Sequence, residues 1–437
     1  MPSTALLAAS GAGLLALLLA GVPIYLGFLL FNGLGVWHFF GSAGIGLYAN
    51  SVLDSLSSLN MATIPLFVLM GEILFRSGAV DVLFDSVDTL IGRIRGRLYV
   101  FTIALSTLFG ALCGSAVAVV SMLGRSVLPT MRRRGYDVQL SASVIQAGAS
   151  LAPIIPPSLI AVIIGSMANV SIGGLLLAGI IPGLLLAALC IGYVYLRIWR
   201  NPALAPAEPL RTAERSARVL AAAALRTLPF FLIIFCVLGL ILLGIATPSE
   251  SAATGVAGSL ATAALYRRLN WPMLREAVAA TVRVSTMILL IVAASVLFGQ
   301  LLAFTGATAA VVEWAAGLDV HPLLLFALLM AVPFVLCMFV DQLAFMLVAI
   351  PLYAPIVAKL GFDPIWFWTQ FAINMTLASL TPPFGYTLFA LRAAAGNEIT
   401  LRQVFASAWP VVGVFVAGMA FMTAFPGLIT WLPALLR

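Results

Sequence analysis

The sequence predicts an all-α polytopic membrane protein built as an inverted repeat, with two re-entrant hairpins and two helices broken at Pro-Pro pairs. Three observations predict it. Of 437 residues 63% are hydrophobic and only 8% are charged, against roughly 25% charged in a soluble domain. The apolar stretches suffice for on the order of ten crossings at about 20 residues each. A shift of 226 positions lays the backbone-shaping residues of one half over those of the other. A soluble enzyme or a nucleic-acid binder is excluded as the main reading. The net charge of +7 is then a topology signal, because the 22 basic residues, all Arg except Lys359, gather at the ends of apolar runs.

In chain order, crossings are expected at about residues 6–31, 36–59 and 61–90, the first a retained helix, because no basic stretch precedes it and it is too long for a signal peptide. Residues 98–131 lie between Arg93, Arg95 and Arg97 on one side and Arg132, Arg133 and Arg134 on the other. If both clusters are cytoplasmic, the segment enters and leaves on one side, and the break falls at Gly110 to Ser115, where two glycines and a serine interrupt a helix. Crossings at about 139–166 and 174–196 complete the first half, and residues 201–226 form a basic cytoplasmic linker. The second half reads as crossings at about 227–245, 251–266, 283–304, 364–392 and 404–432, with a hairpin at 322–358 centred on Asp341 and Gln342. The amphipathic stretches Asp81–Leu90 and Trp271–Ala280 are expected to lie along the interface as arms. All four cysteines sit in apolar runs, so no disulfide framework is expected.

The shift of 226 aligns Ser115 with Asp341, Pro129 with Pro355, Gly135 with Gly361, Asp137 with Asp363, and Pro156-Pro157 with Pro382-Pro383. The units are residues 1–200 and 227–437. Five crossings per unit invert the second unit, so the hairpins open to opposite sides and both termini face outside. Nineteen of the 22 basic residues then mark cytoplasmic ends, with Lys359 and Arg437 outside and Arg125 within the first hairpin. Inverted repeats with discontinuous helices are the architecture of secondary transporters.

Non-helical backbone is tolerated at membrane depth only where protein buries it or water reaches it. Four breaks are expected: the tips at Gly114-Ser115 and Asp341-Gln342, and the stretches Ser150–Ser158 and Thr376–Gly385. Each Pro-Pro pair frees preceding carbonyls, and these, with the hydroxyls of Ser115, Ser158, Ser379 and Thr381, form an oxygen set suited to sodium. The sodium candidates are Gly114, Ser115, Asp341, Pro156, Ser379 and Thr381, mostly through backbone carbonyls. The half-helix N-termini favour a carboxylate, and the substrate-binding candidates are Ser115, Ser158, Thr381 and Arg125.

Asp341, the acid nearest a hairpin centre, costs at least ~2.5 kcal/mol to insert and is a functional candidate as cation ligand or electrostatic partner, with half-helix capping as the structural alternative. Arg125 is expected to compensate Glu72 or face an aqueous path. Glu250, in Thr247-Pro248-Ser249-Glu250, reads as a helix cap. His38 and His321 read as interface residues, and the tryptophans as an aromatic belt. There is no HExxH, GxSxG or phosphate-cradling GK[ST] motif and no second buried acid for an aspartyl dyad, so no enzyme or primary pump is expected, and no cofactor besides sodium as coupling ion.

Ile64 to Gly78, reading IPLFVLMGEILFRSG, resembles the large membrane subunit of TRAP transporters, the tripartite ATP-independent periplasmic transporters of DctM type. Further matches are Leu123-Gly124-Arg125, Arg133-Arg134-Gly135-Tyr136-Asp137, Ile155-Pro156-Pro157-Ser158, Ala246-Thr247-Pro248, Gly361-Phe362-Asp363-Pro364 and Thr381-Pro382-Pro383-Phe384-Gly385. The likeness covers nearly the whole chain. It implies a sodium-coupled importer of organic acids, such as C4-dicarboxylates or sugar acids, in the bacterial cytoplasmic (inner) membrane, working by an elevator motion. It also implies two partners: a small membrane subunit of about four helices and a periplasmic substrate-binding protein. Gly114 and Ser115 match the family's Ser-Gly-Ser-Ser hairpin signature, with Cys113 and Ala116 in place of its outer serines; Asp341 matches the family's acid, with Gln342 where proline is commoner. The alternatives are a stand-alone ion-coupled divalent-anion carrier, marked by uptake without a binding protein, and an intramembrane scaffold, marked by stability indifferent to sodium and by no transport.

Overall fold

The computed structural model describes residues 13, 20, 22–78, 82–83, 86–87, 89, 95–206, 217–317 and 320–435. Among the described residues every regular element is helical and no strand occurs. The first part comprises α1 (Ile24–Phe40), α2 (Gly44–Ser57), α3 (Thr63–Arg76), α4 (Arg97–Cys113), α5 (Ala116–Arg133), α6 (Val138–Leu151), α7 (Leu159–Ala168), α8 (Ile172–Ala178) and α9 (Ile180–Arg200). The second comprises α10 (Ala217–Leu242), α11 (Pro248–Leu265), α12 (Trp271–Phe304), α13 (Ala307–Ala316), α14 (Pro322–Leu336), α15 (Gln342–Lys359), α16 (Pro364–Ala378), α17 (Tyr386–Ala395), α18 (Leu401–Ala424) and α19 (Gly427–Ala434). Seven helical stretches among the described residues are long and apolar enough to cross a membrane.

Helix bounds recur at the 226-residue shift. It carries α5 onto α15 end for end, and α4, α6 and α7 onto α14, α16 and α17 within three residues. One difference is instructive. The shift carries α2 onto the start of α12 and α3 onto its end, so the second half runs through as one 34-residue helix where the first is interrupted at Ser58 by a short 3-10 turn.

The boundary expected between the crossings at 6–31 and 36–59 is not where the chain turns. Much of the first lies outside the described residues, and α1 runs through residues 32–35, which fall between the two expected crossings. Asn32 is fully buried and its amide donates to Ala294 O at 2.6 Å, so a residue with turn character serves as glue between α1 and α12. The chain turns instead at Gly41, whose φ of 60° favours glycine. The crossing at 61–90 also ends early: α3 stops at Arg76, and half of the expected arm Asp81–Leu90 lies outside the described residues. In the linker, residues 217–226 already belong to α10, residues 207–216 lie outside the described set, and Asn201–Leu204 is held against the base of the first hairpin. Trp366 and Trp368 depart from the aromatic belt; they are 6% and 1% exposed and pack with Phe326, Phe367 and Phe371 in the core.

Two groups of helices can be distinguished by packing. Helix α3 lies against α11 and α12, and α1 and α2 against α12; the hairpins and broken helices pack on one another, with α4 also lying on α3 and α15 on α12. Within this second group the halves interlock: α5 packs on α17, α15 on α7 and α6 on α18. Gly124 allows the α5–α17 approach, since a Cβ there would stand 3.0 Å from Ala394 Cβ. Ser143 donates across the α6–α18 contact to Ser407 O at 2.8 Å.

Prolines explain several long-range polar contacts. A proline inside a helix supplies no N–H, and the carbonyl four residues earlier loses its donor. Pro333 frees Leu329 O, which accepts from the Tyr353 hydroxyl at 3.2 Å. Pro351 frees Leu347 O, which accepts from the buried Ser295 hydroxyl of α12, and Gly299 one turn on lets Pro351 approach to 3.0 Å of its absent Cβ. A hydroxyl in hydrocarbon finds few other partners, which favours these pairings.

Candidate substrate and ion site

Each hairpin tip is built by a break followed by a side-chain cap. In the first, α4 ends at Gly114 in the left-handed region (φ 60°), and the half-buried Ser115 caps α5, its Oγ accepting from Ala118 N at 3.4 Å. In the second, Asp341 caps α15, its Oδ1 accepting from Leu343 N at 2.9 Å and Ala344 N at 3.2 Å. The positions matched by the 226 shift therefore do the same local work, one with a neutral hydroxyl and one with a carboxylate. Capping is the role of Asp341 that the geometry displays; its second carboxylate oxygen is a further acceptor.

The broken helices lie directly behind the tips. A Cβ at Gly114 would stand 3.3 Å from Pro157 O, so the first tip rests on the first Pro-Pro segment. Ser158, 1% exposed, caps α7 by accepting from Ala161 N at 3.2 Å and donates to Pro153 O. At the second tip, Phe384 N donates to Met338 O at 3.2 Å, which ties the second Pro-Pro segment to the turn before Asp341. Both Pro-Pro bonds, Pro156-Pro157 and Pro382-Pro383, are cis.

Ser379 and Thr381 are buried in this second segment, donating to Thr376 O at 2.6 Å and Leu377 O at 2.8 Å. Ser379 O accepts from the Thr387 hydroxyl at 3.2 Å, and Thr381 O from Gly385 N at 3.1 Å. The expectation of freed carbonyls is thus modified: Pro153 O and Ser379 O, left without donors by Pro157 and Pro383, are met by neighbouring hydroxyls. Pro153 O keeps one lone pair for a ligand, whereas Ser379 O also accepts from Thr387 N at 3.5 Å.

The structure brings Gly114, Ser115, Pro156 and Ser158 together at one tip, and Asp341, Ser379 and Thr381 at the other. It does not bring Arg125 to a tip: that residue is exposed on α5, ten residues beyond Ser115 and so about 15 Å along the helix axis. Nor does Arg125 meet Glu72. Glu72 pairs with Arg76 at 2.7 Å, and Arg76 with Glu276 of α12 at 2.9 Å, because the i,i+4 spacing on α3 places the nearer cation one turn away. Glu250 is a helix cap as expected, in a capping box with Thr247. His321 caps α14, its Nδ1 accepting from Leu323 N at 3.2 Å.

Sequence reasoning missed Gln146, Tyr386 and Thr387. Gln146, fully buried in α6, donates to Thr387 O at 3.1 Å, and its Oε1 has no partner among the described residues. The Tyr386 hydroxyl lies beside Ser379 and Gln342, and Gln342, 8% exposed, likewise leaves Oε1 without a partner. Glutamines in the middle of an apolar stretch were the available signal. Among the described residues no three His, Cys, Asp or Glu side chains converge. A cation at either tip would therefore be held by carbonyl, hydroxyl and amide oxygens, with Asp341 at the second, a hard-oxygen set that fits sodium.

Known proteins resemble this chain in fold and in sequence. The fold resembles that of the Alcanivorax borkumensis YdaH transporter, with a TM-score of 0.62 over 89% of this chain and 91% of that one, at 12% identity. In sequence the chain is 29% identical to the sialic acid TRAP transporter large permease protein SiaM of Vibrio cholerae, over 97% of both chains. It is 28% identical to the C4-dicarboxylate TRAP transporter large permease protein DctM of Pseudomonas aeruginosa, over 88% of each. It is 29% identical to the ectoine/5-hydroxyectoine large permease protein UehC of Ruegeria pomeroyi, over 86% of this chain and 87% of that one. The model of the tripartite ATP-independent periplasmic transporter DctM component matches residues 12–428. With its hairpin tips, paired breaks and apolar helices, the chain belongs to this family of transporter permeases, and it is a multi-pass protein of the bacterial inner membrane.

Proposed function

We propose that this chain is the large transmembrane subunit of a sodium-coupled secondary importer of organic acids, acting with a small four-helix membrane subunit and a periplasmic substrate-binding protein. The observation that carries the reading is the pair of matched tips: Ser115 and Asp341 cap corresponding helices, each tip backed by a Pro-Pro segment rich in buried hydroxyls. Relatives named for C4-dicarboxylates and sialic acid support an acid as cargo. In this reading residues 1–200 and 227–437 are inverted repeats. The group α4–α9 with α14–α19 is the mobile unit, sliding as an elevator against a scaffold of α1–α3 and α10–α12.

Sodium at the tips supplies the positive charge that lets a carboxylate settle between them, where half-helix N-termini at Ala116 and Tyr386 favour an anion. Each net positive charge carried inward gains ~2.3 kcal/mol per 100 mV of membrane potential, which drives accumulation. Thermal unfolding of the purified chain in sodium against equimolar potassium or choline tests the coupling. Specific binding raises stability by ~2.7 kcal/mol at a hundredfold excess over Kd. Identical unfolding in all three salts overturns sodium coupling. Uptake into proteoliposomes in the absence of a periplasmic binding protein would instead favour a stand-alone divalent-anion carrier.

A further inference from the structure

Arg226, Arg267 and Arg268 are held side by side by backbone contacts. The Tyr266 hydroxyl donates to Arg226 O at 2.7 Å while its ring stacks on Phe230, fixing the end of α11 to α10. Arg267 takes φ 55°, and Arg268 is pinned between Ala263 O, which accepts from its N–H at 2.8 Å, and the Asn270 amide, which donates to its carbonyl at 3.3 Å. All three side chains are exposed, as is that of Arg275 one turn into α12, and none of the four has an ion-pair partner among the described residues. The sequence offers them little neutralisation. From Arg215 to Val312 the only acids are Glu250, at the opposite end of α11, and Glu276, which pairs with Arg76.

The same surface exposes large apolar groups. Leu265 is 66% and Trp271 74% exposed. On α12, Trp271, Arg275, Val278 and Val282 share one outward stripe, while Met273, Ala277 and Thr281 face inward against α3 and α11. A basic cluster without an ion-pair partner among the described residues, beside an apolar stripe at the start of a long apolar helix, has the chemistry of an anionic membrane surface. Topology alone requires arginines at this end. It does not require three of them locked together with a Trp beside them.

We propose that Arg226, Arg267, Arg268 and Arg275, flanked by Leu265 and Trp271, form a docking surface for anionic phospholipid headgroups of the cytoplasmic leaflet. The arginines hold the phosphate, and Trp271 and the α12 stripe sit at the acyl boundary. Native mass spectrometry of the full chain, from detergent containing equal phosphatidylglycerol and phosphatidylcholine, reads this directly. The wild type is expected to retain phosphatidylglycerol preferentially, with the preference falling about fivefold for each arginine removed. The triple variant R226Q/R267Q/R268Q should approach parity, while R197Q/R200Q, at another basic helix end, keeps the wild-type preference. Equal retention of the two lipids by the wild type, or an unchanged preference in the triple variant, overturns the proposal. So does displacement of phosphatidylglycerol by a co-expressed small membrane subunit, which would make the surface a protein interface. Because the substituted side chains are exposed, the triple variant should unfold in lipid-free detergent within a few degrees of the wild type.

Discussion

The two hairpins share a backbone plan and differ in chemistry. Helices α5 and α15 coincide under the shift, with Pro129 matching Pro355, yet Ser115 faces Asp341 as tip cap and Arg125 faces Pro351 further along. Their neighbours differ to suit. Pro351 leaves Leu347 O without a donor, and Ser295 of α12 supplies one; at the matched positions Arg125 keeps its N–H and Leu69 has nothing to donate. Glycines are placed unequally too. Gly110 of α4 lets Ala152 come within 2.6 Å of where its Cβ would be, whereas the matched Leu336 of α14 is exposed. The lesson is that the two halves match at positions where the backbone must break, while the groups that charge, brace and pack the break differ.

The largest effect should come from separating cap from charge at the second tip. Asp341→Asn keeps an N-cap acceptor, so stability in choline should change by only a few tenths of a kcal/mol, while sodium-dependent uptake falls more than tenfold. Asp341→Ala should lose uptake and about 1 kcal/mol of stability together. Normal sodium-dependent uptake by the Asn variant would reduce Asp341 to a cap and erase the functional difference between the tips.

Next in size is packing. Gly110→Ala drives a methyl into the Ala152 backbone and should cost roughly 1–3 kcal/mol in chemical denaturation, whereas Leu336→Ala on the exposed counterpart should stay within about 0.5 kcal/mol. Similar costs at both would mean that the hairpins are braced alike. Ser295→Ala leaves Leu347 O buried and unmatched, costing about 1–3 kcal/mol. Adding Pro351→Leu restores a backbone donor to that carbonyl and should recover part of the loss, so a double-mutant cycle with no coupling would remove the proline from the account. The smallest effect belongs to Ser115→Ala, because the cap bond is long and half-exposed: about 0.5 kcal/mol in choline, with a reduced sodium-dependent thermal shift.

Much of this architecture is legible in the sequence because it is written in local rules. Glycine at a left-handed turn, proline within a helix, and Ser or Asp before a helix start act over a few residues, and the tips at Gly114-Ser115 and Asp341, with both Pro-Pro breaks, are read from them. What escaped depends on distant partners. Asn32 looks like a turn residue until Ala294 O is beside it, 262 positions away, and Gln146 carries no local hint that Thr387 O will accept from it. Trp366 and Trp368 resemble belt residues because composition does not record which face of α16 is covered. The Ser295 contact was half-visible, since the missing donor of Pro351 announces a carbonyl in need, but not who meets it.

The opening of the interrepeat connection binds backward. Arg95 donates to Pro202 O at 2.6 Å and Ala205 O at 3.2 Å, the Tyr99 hydroxyl donates to Leu204 O at 2.8 Å, and Asp137 N to Leu204 O at 3.2 Å. All four bonds close within the first half of the polypeptide, while the halves grip one another through α5 on α17, α15 on α7 and α6 on α18. Among the described residues, covalent continuity therefore contributes proximity rather than architecture. Severed after residue 206 and produced as two polypeptides, the halves retain every contact that joins them, so the pair should assemble in the membrane as a heterodimer, with neither partner able to bury its own broken helices alone.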